Sequence, residues 1–224
     1  MAPRSQRDLS LSVLWITLCA LTGGLACAGT LGITDEMLNI IANQYGRRAR
    51  GRIIDWQNTV ARHQSDSELV KLNVVNSFFN RNQFVSDAEH WQMSDYWATP
   101  IEFLSTRGGD CEDFAIAKYI TLLALGIPDE KLRITYVKAI RLDQAHMVLT
   151  YYETPRAIPL VLDNLDKTIR PASQRPDLKP VYNFNGNGLW LAKMRGEGQK
   201  MGAPEELNMW RDLIIRLKRE RGTQ

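Results

Sequence analysis

Apolar residues recur at helical spacing from Thr34 onward: Met37, Leu38, Ile40, Ile41 and Tyr45, then Ile53, Ile54, Trp56 and Val60. Thr34-Asp35-Glu36 opens this pattern, and Gly46 and Gly51 are the expected breaks. Ser65-Asp66-Ser67-Glu68 reads as a capping box ahead of a second amphipathic set, Leu69, Leu72, Val75, Phe78 and Phe79. In Thr99-Pro100-Ile101-Glu102, Thr99 is the N-cap, Pro100 takes the first helical position and Glu102 reaches back, so a short helix should run to Gly108-Gly109. From Asp110 the apolar set Phe114, Ile116, Ala117, Tyr119, Ile120 and Leu123 keeps helical period until Gly126-Ile127-Pro128. This helix should be mostly buried.

Beyond it the pattern changes to strands. Leu132 to Ile140, His146 to Tyr152 and Ile158 to Asp163 are rich in Ile, Val, Tyr and Thr, and polar turns at meander spacing separate them. Arg170 to Pro180 carries three prolines and reads as a loop. Val181 to Phe184 and Leu189 to Ala192 flank Asn185-Gly186-Asn187-Gly188 as a hairpin, and Pro204-Glu205-Glu206 opens a last helix. Helices before a run of strands predict an α+β fold.

The length, 224 residues with 44% hydrophobic and 24% charged, suits one domain with one core. A formal charge of +3, mixed in sign along the chain, gives no warrant for a nucleic-acid partner. The basic cluster Arg216 to Arg221 is expected to be a solvated helix end.

Residues 1–28 read as a secretory signal peptide: Arg4 and Arg7, an apolar run from Leu9 to Leu25, then Ala26-Cys27-Ala28. Cleavage after Ala28 leaves 29–224 as the folded domain; a retained anchor or a lipidated Cys27 are the alternatives. Excision also removes Cys19 and Cys27, so Cys111 becomes the lone thiol of an exported chain, with no intramolecular disulfide partner.

That thiol lies in Gly108-Gly109-Asp110-Cys111-Glu112-Asp113, among three acids. Neighbouring negative charge disfavours the reactive thiolate, so either Cys111 is inert or a cation offsets the acids. Its place in the first turn of a helix points to reactivity, because unpaired amides and the helix dipole lower a thiol pKa and can hold an oxyanion. A cysteine nucleophile needs an imidazole base and a third group to orient it. Of three histidines, His63 and His90 precede the cysteine, whereas His146 opens a strand that can meet the helix start. Asp163 ends the apolar run Leu160-Val161-Leu162 and could stand behind His146 on the adjacent strand. Each has a plainer reading: a buried small hydrophobe, a core histidine and a turn-forming aspartate.

Gly109-Asp110-Cys111-Glu112-Asp113-Phe114-Ala115-Ile116-Ala117-Lys118-Tyr119, with Tyr96-Trp97-Ala98-Thr99-Pro100, His146-Met147-Val148-Leu149 and Val161-Leu162-Asp163-Asn164, resembles the bacterial transglutaminase-like cysteine proteinases from Thr34 to Asn183. The resemblance implies a papain/transglutaminase-like fold in which the nucleophile helix packs on an antiparallel sheet. It also implies Cys111 as nucleophile, His146 as general base and Asp163 as orienting acid. Members that process adhesins are calcium-dependent, which implies Ca2+ held by Asp110 and Glu112, with Asp113 a third ligand and Asp95 a further candidate. A divalent ion there would reverse the penalty on the thiolate.

The same likeness implies a periplasmic endopeptidase that cuts a large LapA-like surface adhesin near its N-terminus. It further implies sequestration by an inner-membrane, LapD-like receptor of cyclic diguanylate. Trp91, Trp97 or Trp190 are candidate docking residues. Two other functions fit the residues: a transglutaminase that passes the thioester to an amine, and a non-catalytic calcium-stabilised binding domain.

Overall fold

The computed structural model describes residues 31–192, 198–220 and 222. The expected signal segment, with Cys19 and Cys27, and Arg221 lie outside the described residues.

Thr34 caps α1 (Asp35–Tyr45), its hydroxyl accepting from the Met37 amide at 3.2 Å. Gly46, at φ +87°, separates α1 from α2 (Arg47–Arg62). The break expected at Gly51 does not occur. The glycine costs α2 about 1 kcal/mol relative to alanine, but the buried stripe Ala49, Ile53, Trp56 and Val60 runs straight through it. Nor does the capping box at Ser65 form, because α3 (Glu68–Phe79) starts later, with Ser67 as its N-cap. The Glu68 carboxylate instead accepts from Lys131 Nζ at 2.8 Å and from the Tyr151 hydroxyl.

Two short segments then build the frame of the site. β1 (Gln83–Phe84) leads to α4 (Asp87–His90), and α5 (Pro100–Thr106) follows behind the expected Thr99–Glu102 capping box. Gly108-Gly109 does more than stop that helix. It forms β2 (Gly108–Gly109), which pairs in parallel with β1 and draws residues 83–87 beside the start of α6 (Cys111–Ala124). α6 is buried from Glu112 to Leu122 and is tied to α2 by a 2.9 Å bond from Trp56 Nε1 to Thr121 Oγ1.

The sheet comprises β3 (Leu132–Ala139), β4 (Gln144–Tyr151), β5 (Leu160–Leu162), β6 (Arg170–Pro171), β7 (Leu178–Asn185), β8 (Gly188–Leu191) and β9 (Lys200–Gly202). Every pairing is antiparallel, in the order β6-β5-β4-β3-β7-β8-β9. The meander holds for β3, β4 and β5, whereas β7 returns to the other edge of β3. The segment expected to be a loop contains β6, a 3-10 turn (Ala172–Gln174) and the start of β7. Pro171 ends the edge strand β6, Pro176 lies in the turn before β7, and Pro180 sits within β7 where the register with β3 shifts between Tyr136 and Val137, positions that spare a ladder hydrogen bond. The hairpin forms as expected, with Asn185 paired to Gly188.

Alternation divides the sheet faces. Ile134, Leu149, Leu162 and Phe184 join the main core under α6, and Val137, Val148 and Val161 form a small cluster on the opposite face. The last helix begins later than expected: Pro204–Glu206 is a 3-10 turn and α7 is Asn208–Glu220. Trp210, Leu213 and Leu217 of α7 enter the core, Trp210 edge-on to Phe184. The architecture is α+β, with the cysteine helix packed on an antiparallel sheet. Among the described residues no helix is long and apolar enough to cross a membrane.

Candidate active site

Cys111 is the first residue of α6 and is partly buried. The turn that presents it is fixed from behind by Asp113, whose carboxylate accepts from the Ala98 amide at 2.7 Å and the Asp110 amide at 3.3 Å. Glycine is required at 109, because a Cβ there would lie 2.1 Å from Asp113 Oδ2.

The strand register brings the other groups to the same place. β5 ends at Leu162, opposite Leu149, so the part of β4 from Gln144 to Val148 has no β5 partner. α6 packs against β4, and the Met147 amide is directed at the Cys111 sulfur. His146, the preceding residue, is buried, and its Nε2 lies 2.8 Å from Asp163 Oδ1. With Nε2 engaged, Nδ1 is the ring nitrogen left for proton exchange.

Asp163 is 1% exposed and well supplied with donors. Oδ1 also accepts from the Leu165 amide at 3.0 Å, Oδ2 accepts from Arg175 Nη2 at 2.8 Å, and the backbone carbonyl accepts from Asn80 Nδ2 at 2.8 Å. Burial alone would raise its pKa, but His146, the Leu165 amide and Arg175 outweigh it and hold the carboxyl well below its ordinary range.

The thiol behaves in the opposite way. Its Sγ donates to Glu112 Oε2 at 3.1 Å. Burial, then the charges of Glu112 and Asp110, push Cys111 far above its usual pKa, against the lowering effect of the Met147 amide. With these acids unneutralised the sulfur keeps its proton.

The acids form a cluster drawn from three segments. Ligand oxygens of Asp87, Asp110 and Asp113 lie within 4.8 Å of one another, as do those of Asp87, Asp95 and Glu112. Asp87 Oδ2 accepts from the Tyr96 amide, but Asp87 Oδ1 and Asp110 Oδ1 are buried without a hydrogen-bond partner. Burial, then neighbouring acids, push Asp87 up to about 6 and Asp110 up to about 10. Orphaned carboxylate oxygens that resist ionisation fit a divalent cation with hard oxygen ligands. Asp110, Glu112, Asp113 and Asp95, the ligands that the family resemblance implied, are thus brought into one acidic cluster. Asp87 is an addition that no local motif marks, since only the β1–β2 pairing carries it there. Asp113 has both oxygens engaged by backbone amides, so it binds loop to helix as well as lining the cluster.

Other candidates lie elsewhere. His63 pairs with Asp66 at 2.6 Å at the end of α2. Trp97 is buried and stacked on Phe184, and Trp190 is buried under the Arg133 guanidinium, so both anchor the interior instead of forming a docking surface. Trp91 packs on Tyr96. Two charged residues that the sequence did not single out stand behind Asp163: Arg175, and Lys118 of α6, whose Nζ is buried without a hydrogen-bond partner.

Comparison with known families rests on this framework. The sequence model of the bacterial transglutaminase-like cysteine proteinases matches residues 48–178, from α2 to the start of β7. The chain belongs to this family. Among solved structures, calcium-bound LapG of Legionella pneumophila is 45% identical, with a TM-score of 0.71 over 83% of this chain and 99% of that one. EGTA-treated LapG of the same organism is 41% identical, with a TM-score of 0.72 over 84% of this chain and 97% of that one. No curated protein sequence gives a significant match. For a transglutaminase-like proteinase, the matched region contains Cys111, His146 and Asp163 together with the whole acidic cluster.

Proposed function

We propose that this protein is a calcium-dependent periplasmic cysteine endopeptidase that releases a large surface adhesin by cutting near its N-terminus. The observation that carries the reading is the convergence of Cys111, at the start of α6, on the β4 residue that follows His146, while His146 is bonded to Asp163. Cys111 is the nucleophile, His146 the general base and Asp163 the orienting acid.

His146 Nδ1 takes the thiol proton and the thiolate adds to the scissile carbonyl. The Cys111 amide, at the helix start, faces the developing oxyanion. Collapse breaks the C–N bond as imidazolium returns the proton to the leaving amine, leaving a thioester. Water, deprotonated by His146, then releases the acid and the free thiol. Asp87, Asp95, Asp110, Glu112 and Asp113 would hold the calcium ion, as the orphaned oxygens on Asp87 and Asp110 suggest. When bound, the ion supplies positive charge beside a thiol that its acidic neighbours otherwise keep protonated.

The adhesin substrate and the LapD-like receptor of cyclic diguanylate are carried over from the sequence resemblance around Gly109–Tyr119, His146–Leu149 and Val161–Asn164. The periplasmic location is supported by Arg4, Arg7, the apolar run to Leu25 and Ala26-Cys27-Ala28.

The test incubates the purified protein with the N-terminal segment of an adhesin from the same cell, in calcium or in chelator, beside Cys111→Ala. Calcium-dependent fragments that vanish in the variant are expected. Cleavage by Cys111→Ala would remove the mechanism, and cross-linked products in place of fragments would make the enzyme a transglutaminase. Cleavage by a protein stripped of calcium would remove the ion while leaving the nucleophile.

A further inference from the structure

Asp163 is buried, and a lone carboxylate in such a place is costly to ionise. Arg175 supplies the counter-charge. Its Nη2 donates to Asp163 Oδ2 at 2.8 Å and to Asp177 Oδ2 at 2.8 Å, and its Nε donates to Asp177 Oδ1 at 3.0 Å. The guanidinium is therefore gripped by Asp177 on one side and grips Asp163 on the other. Its backbone is held as well: the Arg175 amide donates to the Ala172 carbonyl and the Arg175 carbonyl accepts from Leu178, both at 3.1 Å. Arg175 is only 6% exposed, although it comes from a segment between strands.

This arrangement divides the labour of the Asp163 oxygens. Oδ1 serves His146 and the Leu165 amide, whereas Oδ2 serves Arg175. Without the second grip the carboxylate is held at Oδ1 alone, by His146 and the Leu165 amide, and its plane is free to turn about that oxygen. We propose that Arg175, aimed by Asp177, is a positioning residue for proteolysis. It fixes the Asp163 carboxylate so that His146 keeps its proton on Nε2 and presents Nδ1 to Cys111. This inference rests on the catalytic roles proposed above.

Two effects compete. Arg175 draws charge from Asp163, which lowers the imidazolium-stabilising power of the carboxylate; it also fixes geometry. In a serine protease, the wrong imidazole tautomer costs about 10⁴ in rate, far more than a modest change in field, so the geometric effect should dominate. The charged groups facing Asp163 are His146 of β4, Arg175 itself, and Lys118 of α6.

The experiment measures kcat and KM for adhesin cleavage, and the pH profile of Cys111 alkylation by iodoacetamide, in the calcium-loaded protein. Arg175→Gln should lower kcat about 10- to 100-fold, the scale found for groups that orient metal-ligating histidines and carboxylates, with KM little changed and the alkylation profile shifted. Arg175→Lys keeps the charge without the planar fork and should recover only part of kcat. A folded Arg175→Gln with wild-type kcat and profile would overturn the proposal, as would full kcat with only a lower melting temperature. Should Arg175→Gln fail to fold, Asp177→Asn decides. It leaves both charges at the Asp163–Arg175 pair, and it should lower kcat severalfold with the same shift; no change would refute the positioning role. Cleavage by Cys111→Ala marks failure of the catalytic reading itself, whereas an inactive Cys111→Ala beside a fully active Arg175→Gln marks failure of this inference alone.

Discussion

At position 109 the backbone passes so close to Asp113 that a methyl group would sit 2.1 Å from Oδ2 and 2.8 Å from its Cβ. Asp113 cannot move aside, because it is fully buried and holds the amides of Ala98 and Asp110. Gly109→Ala should therefore destabilise the fold by about 1–3 kcal/mol, the usual cost of overpacking, and should abolish alkylation-competent Cys111; a thermal melt and a labelling rate read the two effects. Lys118 gives a second residue-level expectation. Burial pushes its amine down to about 7, opposed by the charge of Asp163. Between about 7 and the ordinary value of 10.5 the unfolded chain binds more protons than the folded one, so this group's contribution makes stability rise with pH across that window. Lys118→Met removes the slope, and because Lys118 Nζ has no hydrogen-bond partner while Asp163 keeps Arg175 and His146, the variant should be at least as stable as wild type at pH 7. Urea titrations of both proteins at pH 7 and 9 test this, and an unchanged pH difference would count against a charged, desolvated Lys118. Cys111, His146 and Asp163 could be singled out from sequence because each has a local mark: a glycine pair before a helix, a strand-opening histidine, an acid ending an apolar run. Arg175 and Asp87 carry no such mark, since their roles arise only from pairing between distant segments.

Among the elements, α7 shows how a local pattern can be read correctly and its contacts missed. The basic residues from Arg216 suit a helix C-terminus, but Arg216 is not merely solvated. It donates to Glu102 Oε2 and the Tyr96 hydroxyl through Nη1 and to the Trp97 carbonyl through Nη2, and it lies over the Tyr96 ring at 4.5 Å. α7 thereby clamps the segment whose Ala98 amide holds Asp113, linking the last helix to the turn that carries Cys111. Arg216→Ala should cost about 2–4 kcal/mol, since it unpairs a partly buried carboxylate and a carbonyl together. It should also slow Cys111 alkylation, whereas removal of the neighbouring Arg219 should leave both unchanged. Equal melting temperatures for the two variants would show that the clamp carries no weight. Periodicity and caps located α1, α5, α6 and the β3 to β5 meander. The break expected at Gly51 and the capping box expected at Ser65 failed because tertiary burial of α2, and the pairing of Glu68 with Lys131, overrode local preference.

For the molecule as a whole, the acidic cluster sets a balance between folding, protons and metal. The carboxylates come from α4, the segment after it and α6, so a bound cation would tie these parts together. On the proposed reading, calcium at 100 times its dissociation constant adds about 2.7 kcal/mol to stability. At about 2–4 °C per kcal/mol for a chain of this size, chelation should lower the melting temperature by about 5–10 °C. The metal-free carboxylates and the bound metal contribute with opposite signs as pH rises. In chelator, Asp87 and Asp110 have pKa values raised to about 6 and about 10, so the folded state holds protons that the unfolded state has lost, and stability falls as pH rises from about 4. In calcium the ligands must be deprotonated, so the metal's contribution grows with pH. The gap between calcium and chelator melting temperatures should therefore widen from pH 5 to pH 8. Asp110→Asn and Glu112→Gln should each weaken calcium binding measured by calorimetry, and the carboxamide should flatten the chelator profile at position 110. A gap constant with pH, or equal calcium affinity in wild type and both variants, would mean that these carboxylates do not hold the ion. In that event the protonated Cys111 would need another source of activation.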